Sequence, residues 1–300
     1  MDYSYSEKKE FNTLSEARKY AYESLENILT EDVHSNGEYC YIFFSSNGLC
    51  DDNKYIDELI YKEKYEWKSI ARAVKKRKST GRCIYVRDVY MRFYMYGISA
   101  KCNSIERVIQ RIKEQISDKK WKVVTVGISS GGYMSVIVGM AIGAYKIFNI
   151  SGQYSLKEQI PQYYDEFICI NPLYGNIIEL VKEYNQLSDT DKAGIYYLCP
   201  IGCNHDREQY NMVKDYPCVM AFLFPDKIHA ATVYPFNFPD LLTKSRKKME
   251  RLYQRYDGKI IDKNVFLLRT ITIKGVAEFI KRALKAKFNV NGMKKVWDVK

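Results

Sequence analysis

Val123 to Ala144 reads VVTVGISSGGYMSVIVGMAIGA. Its opening residues are β-branched and apolar, as a central strand requires. Its closing residues form a continuous apolar run with helical character. Between them lies Gly127-Ile128-Ser129-Ser130-Gly131, a G-x-S-x-G pattern. Two readings are open: an ordinary strand-to-helix loop, or a nucleophilic Ser129 held on a sharp turn. The second reading gives the glycines a steric reason. Strand and helix approach so closely around such a serine that side chains at Gly127 and Gly131 would clash. The amide of Ser130, at the start of the helix, would then face an oxyanion.

Serine alone is a weak nucleophile and needs a base, which in turn needs an orienting acid. The chain has three histidines, His34, His205 and His229. His34 precedes the serine. His229 follows CVMAFLF, 218–224, the last strong strand signal, and Asp206 follows the strand-like GIYYLCP, 194–200. The order serine, acid, histidine, each after a strand, predicts Ser129, Asp206 and His229 as a catalytic triad. The competing assignments are His205 as base with Asp189 or Asp191, Asp226 as a local partner of His229, and His229 as an ordinary histidine. A second oxyanion donor is expected from the loop after YIFFSS, at the amides of Ser46, Asn47 or Gly48. The stretch YVRDVYMRFYMYGIS, 85–99, offers Arg87 and Arg92 among aromatics as substrate contacts. Its alternative is a packed crossover with Arg87 and Asp88 paired.

The wider pattern alternates strands and helices. Strands are expected at 38–46, 82–88, 121–127, 146–151, 166–171, 194–200 and 218–224. Helices are expected at 11–31, with Thr13 and Glu16 as a capping box, and at 103–117, 131–144, 175–187, 206–214 and 240–256. This predicts an α/β fold with a mostly parallel central sheet flanked by helices. The segment 151–165 reads as a lid or surface insertion. Three regions follow: an N-terminal helical segment 1–37, a catalytic domain 38–256, and a basic extension 257–300.

At 300 residues and 46% hydrophobic content, one large core is expected. There is no 18-residue apolar run, and the first residues lack an apolar signal core, so a cytoplasmic location is expected, peripheral to the inner face of the membrane at most. The eight cysteines read as reduced. The Cys199/Cys203 spacing does not suit zinc, and no cofactor or metal is expected. The formal net charge of +11 is concentrated late in the chain. Residues 241–256 hold six Lys/Arg and one Glu, and 274–300 hold eight and two. Val276, Phe279, Ile280, Ala283, Leu284 and Phe288 would line one side of a basic helix. That helix suits an anionic membrane surface, or else docks on the core. No reader motif for nucleic acid is present.

On Gly127–Gly131, Asp206 and His229, the chain resembles the α/β-hydrolase superfamily over roughly residues 38–256. The segments YIFFSSNG, YVRDVYMRFYMYG, GISSGGYMSVIVGMAIGAYKIFNISGQYSL and FPDKIHA look like divergent bacterial members associated with surface-polysaccharide or capsule biosynthesis and accessory secretion. The resemblance implies acyl-ester hydrolysis or acyl transfer on a glycan or glycan precursor. It departs from the lipase type in lacking a His-Gly oxyanion motif. A non-catalytic scaffold in glycan assembly or secretion is the alternative, in keeping with 27 Tyr and the basic C-terminal segment.

Overall fold

The computed structural model describes residues 11, 13–47, 64–157, 161–188, 192–230, 237–273, 275–277 and 280. The strands in chain order are Ile28–Asp32 (β1), Tyr39–Phe44 (β2), Thr80–Val86 (β3), Lys122–Ile128 (β4), Lys146–Ile150 (β5), Ile195–Pro200 (β6) and Val219–Phe224 (β7). The helices of the first half are Leu14–Ser24 (α1), Lys68–Lys75 (α2), Ile105–Gln115 (α3) and Ser130–Ala141 (α4). Pro161–Ile170 (α5), Pro172–Gly175 (α6), Ile178–Asn185 (α7) and Asn204–Val213 (α8) follow. Phe238–Leu242 (α9), Arg246–Tyr256 (α10) and Lys263–Thr270 (α11) close the described chain.

Among the described residues the strands form one sheet in the order β1-β3-β2-β4-β5-β6-β7. β2 to β7 run parallel, and β1 is antiparallel to β3. Side chains alternate between two faces, and both faces are apolar. Ile42, Phe44, Ile84 and Val86 point to one core with α3, α4 and α7. Tyr41, Phe43, Val124, Val126, Phe148 and Leu198 point to the other, with α2, α10 and α11. A parallel sheet buried on both faces needs such continuous apolar strands. The expected α/β architecture, a mostly parallel central sheet flanked by helices, is therefore the one the chain adopts. α4 is buried almost all round, which matches its lack of a polar stripe.

Several boundaries differ from the sequence-based expectation. The first helix ends at Ser24, and Ile28–Asp32 becomes an edge strand, with Ile28 opposite Val86 and Asp32 opposite Arg82. Asn27 makes the break: it sits at φ 53°, and its Nδ2 donates to the carbonyls of Ala21 and Ile98, both at 2.8 Å. The 1–37 segment is thus not purely helical, and its strand belongs to the sheet. The run 166–171 is helical, not extended. Pro161 opens α5 at a position that suits proline, and a short apolar run fits either state by pattern. Ser151 to Leu156 are buried, so this part of 151–165 is packed rather than a lid. Gln209 of α8 holds it: Oε1 accepts from the amides of Tyr154 (2.7 Å) and Ser155 (3.0 Å), and Nε2 donates to the Ser155 carbonyl (2.9 Å). At the C-terminal side, Ile261 and Phe266 are buried in the same core as Phe222 and Phe224. The described part of the 257–300 extension is therefore integral to the domain. Apart from 275–277 and 280, the expected basic helix at 274–288 lies outside the described residues. Among the described residues, no helix is long and apolar enough to cross a membrane.

The expected helix at 240–256 is two helices, broken at Thr243–Ser245. Ser245 caps the second through its Oγ and the Lys248 amide. Lys146, fully buried at the start of β5, donates its ammonium to the carbonyls of Leu242 and Lys244. It thereby satisfies carbonyls left open at the end of α9. Burial lowers its pKa to about 7, whereas an unfolded lysine holds its proton to about 10.4. Between these values the unfolded chain binds a proton that the native chain does not. The lysine's contribution to stability therefore rises with pH, by at most about 1.4 kcal/mol per pH unit. Urea unfolding of wild type and Lys146→Met at pH 7, 8 and 9 should show the difference in unfolding free energy shifting in favour of wild type with pH. A constant difference would show that the ammonium stays charged in the native state.

Candidate active site

Ser129 sits between the end of β4 and the start of α4 with φ 53° and ψ −124°. Few residues hold that conformation unless the surroundings enforce it. Here the Ser129 amide donates to the Ile150 carbonyl of β5 (2.9 Å), and its carbonyl accepts from the Tyr133 amide (3.0 Å). A Cβ at Gly127 would lie 1.9 Å from the Gly131 oxygen, and one at Gly131 would lie 2.4 Å from the Phe44 oxygen. Both glycines are required for β2, β4 and α4 to meet this closely.

The topology brings the loops after β4, β6 and β7 to one edge of the sheet, the edge at which parallel α/β sheets place their sites. His229 Nε2 lies 2.9 Å from Ser129 Oγ. His229 Nδ1 lies 2.9 Å from Asp206 Oδ2 and 3.1 Å from Oδ1. A carboxylate can only accept, so Nδ1 carries the proton and Nε2 is left to accept from the serine hydroxyl. Asp206 is fully buried, while the His229 side chain is 35% exposed. Asp206 is thus shielded from solvent and His229 reachable from it. Asp206 lies in the first turn of α8, where the helix dipole favours negative charge. The thiol of Cys199 contacts the Asp206 carbonyl at 3.4 Å, and burial pushes that thiol up to about 12, so it remains a donor.

Of the alternatives, Asp189 and Asp191 lie outside the described residues. The His205 ring lies 5.9 Å from that of His229 in an edge-on contact, and burial lowers its pKa. It flanks the base rather than replacing it at Ser129 Oγ. Asp226 pairs with Lys263 at 3.4 Å.

The loop after β2 departs from expectation. Ser130 Oγ accepts from the Asn47 amide (2.9 Å) and donates to Asn47 Oδ1 (2.9 Å). The Asn47 backbone amide is therefore committed and does not face an oxyanion. The Ser46 amide and hydroxyl are bound by Glu66 at 2.6 and 2.8 Å, and burial raises the pKa of that carboxyl. The Tyr94 hydroxyl donates to the Ser45 carbonyl at 2.7 Å. Gly48 lies outside the described residues. The Ser130 amide is the first of α4, where no helical acceptor exists. Sequence reasoning missed Glu66 and the Ser130 hydroxyl, because both act through folded geometry rather than through a motif.

Arg87 is fully buried, so it presents no surface to solvent. Its Nε donates to Asn27 Oδ1 (2.9 Å) and its Nη1 to the Lys64 carbonyl (3.0 Å), and it lies 4.7 Å from the centre of the Tyr65 ring. Asp88 accepts the amides of Tyr90, Met91, Arg92 and Tyr94 at 2.7–3.1 Å. It thus supports a loop in which Met91, Phe93 and Tyr94 have positive φ. That loop presents Arg92. Its guanidinium lies 3.9 Å from the centre of the Tyr163 ring. Arg92, Arg18, Ser15, Tyr90 and Tyr96 line a cleft of about 390 Å³. The loop leaves the carboxyl end of β3, two strands from β4, a lateral distance of about 10 Å. Arg18 escaped the sequence reading because nothing local to α1 points to the loop after β3.

No protein-family model and no curated protein matches the chain. Solved structures resemble it in part. A mutant capsule O-acetyltransferase of Neisseria meningitidis serogroup A, in complex with CoA, is 12% identical over 77% of this chain and 93% of that one, with a TM-score of 0.48. S-formylglutathione hydrolase from Staphylococcus aureus is 12% identical over 73% and 84%, with a TM-score of 0.43. An α/β-hydrolase enzyme from a lagoon-sediment metagenome is 16% identical over 76% and 94%, with a TM-score of 0.43.

Ser130→Ala should leave the Asn47 amide and Oδ1 without their partner and lower the unfolding free energy by about 1–3 kcal/mol. Hydrogen exchange at residues 45–47 should rise in step. Unchanged exchange there would show that Glu66 and Tyr94 alone hold the loop.

Proposed function

We propose that the chain is a serine hydrolase or acyltransferase acting on an acyl ester of a glycan or glycan precursor in bacterial surface-polysaccharide assembly. The observation that carries this reading is the continuous hydrogen-bonded relay from Ser129 Oγ through His229 to the buried Asp206. Ser129 attacks the acyl carbonyl as its proton passes to His229 Nε2. Asp206 holds the tautomer and stabilises the imidazolium. The tetrahedral oxyanion faces the Ser130 amide. Asn47 supplies the second donor through Nδ2, because the Ser130 hydroxyl on Oδ1 fixes which way its amide points. Collapse expels the alcohol, which takes the proton back from His229. Water or a sugar hydroxyl, deprotonated by the same histidine, then releases the acyl group.

The cleft formed by α1 and the loop after β3 supports the glycan reading. Tyr90 and Tyr96 offer ring faces to a sugar, and Arg18 and Arg92 offer donors to its hydroxyl or anionic groups. This keeps Arg92 as a substrate contact and drops Arg87.

Wild type should react with a fluorophosphonate probe, and Ser129→Ala should not. Labelling that survives this substitution, or no labelling of folded wild type, would overturn the reading. With a chromogenic acetate ester, Asp206→Asn should lower kcat about 10⁴-fold, and Asn47→Ala about 10²-fold. Arg92→Ala should raise KM for an acetylated glycan while leaving turnover of the small ester unchanged. Equal effects on both substrates would place Arg92 in a structural role.

A further inference from the structure

We propose that the face formed by α10 and α11 seats the protein on an anionic lipid bilayer. This inference is independent of the catalytic reading. A groove of about 230 Å³ is lined by Lys244, Lys248, Arg251, Leu252, Arg255 and Arg269. Among the described residues, none of these five cations forms an ion pair. Lys248, Arg251 and Arg255 recur at three- and four-residue spacing, so they share one side of α10. Two contacts tie α11 to α10 and to the turn that precedes it. The Arg269 guanidinium lies 5.4 Å from the centre of the Tyr256 ring, and Lys244 Nζ donates to the Thr270 carbonyl at 3.0 Å.

Beside this charge lie exposed apolar side chains. In α11, Phe266 and Thr270 are buried, which turns Val265 and Leu268 outward next to Arg269. Leu268 is 74% exposed, and Ile273, just beyond the helix, is 91% exposed. Cations alone would suit any polyanion. Cations beside large exposed aliphatic residues suit a bilayer, in which the aliphatic groups enter the interface and the cations meet lipid phosphates. In sequence, residues 274–300 hold eight Lys/Arg against two acids. Lys244 also lies close to the start of β5, through the bond of its carbonyl to Lys146. That end of the groove is at the opposite edge of the sheet from Ser129, so docking leaves the catalytic edge open.

The test uses the full chain and sedimentation with phosphatidylcholine vesicles, with and without phosphatidylglycerol. Binding is expected only with the anionic lipid, with release by added salt. The triple variant Lys248→Glu/Arg251→Glu/Arg255→Glu should weaken binding by at least about 100-fold. Leu268→Ser/Ile273→Ser should weaken it at unchanged charge. Circular dichroism confirms the fold of each variant. Equal binding to neutral vesicles, no binding, or full binding by the triple variant would overturn the proposal. So would full binding by the Leu268/Ile273 variant together with competition by a DNA duplex, which would mark a site for soluble polyanions.

Discussion

The closeness of β4 to α4 at Ser129 is the constraint on which the other parts depend. With hydrogen in place of side chains at Gly127 and Gly131, the Phe44 carbonyl can lie against the first turn of α4. That contact docks β2, and with it Ser45 to Asn47, beside the turn. The Ser130 hydroxyl then reaches Asn47, and the Ser129 amide reaches β5. The strained serine costs about 1–3 kcal/mol. The burial of α4, where Val136, Ile137 and Val138 enter the core, offsets this readily at about 1.5–3 kcal/mol per large apolar side chain.

Electrostatics complete what sterics begin. A buried carboxylate is costly unless it is bonded and compensated. Asp206 meets that condition with the His229 ring and the amino end of α8. Glu66 and Asp88 meet it with backbone amides of the loops they organise. Three carboxyl groups therefore shape three loops at the carboxyl edge of the sheet, and only one of them touches a histidine. The same rule, with opposite sign, explains Lys146 at the other edge, where an ammonium meets carbonyls.

What was legible in the sequence was local or topological. The strand–turn–helix around Ser129 is encoded within one stretch. That Asp206 and His229 would meet Ser129 was legible because parallel strands deliver their following loops to one edge. What was illegible required partners distant in the chain. β1 follows α1 with only Asn27 to mark the break, and that side chain acts by reaching Ile98. Arg87 reads as a substrate contact, or as a partner of Asp88 in a packed crossover, until Asn27 and Lys64 are brought to it. The Asn47 backbone amide looked available because the rotamer of Ser130 is not written in any motif. The α5 error has a different origin: six apolar-rich residues fit either period, and packing of Phe167 decided.

Gln209 carries a consequence beyond its three hydrogen bonds. It stands one helical turn from Asp206 on α8, so the helix that carries Asp206 also grips the backbone of Tyr154 and Ser155. The stretch from Ser151 to Leu156 is consequently closed to insertion, deletion or circular permutation, although it lies between a strand and a helix, where such changes are usually absorbed. Changes of length would have to fall elsewhere.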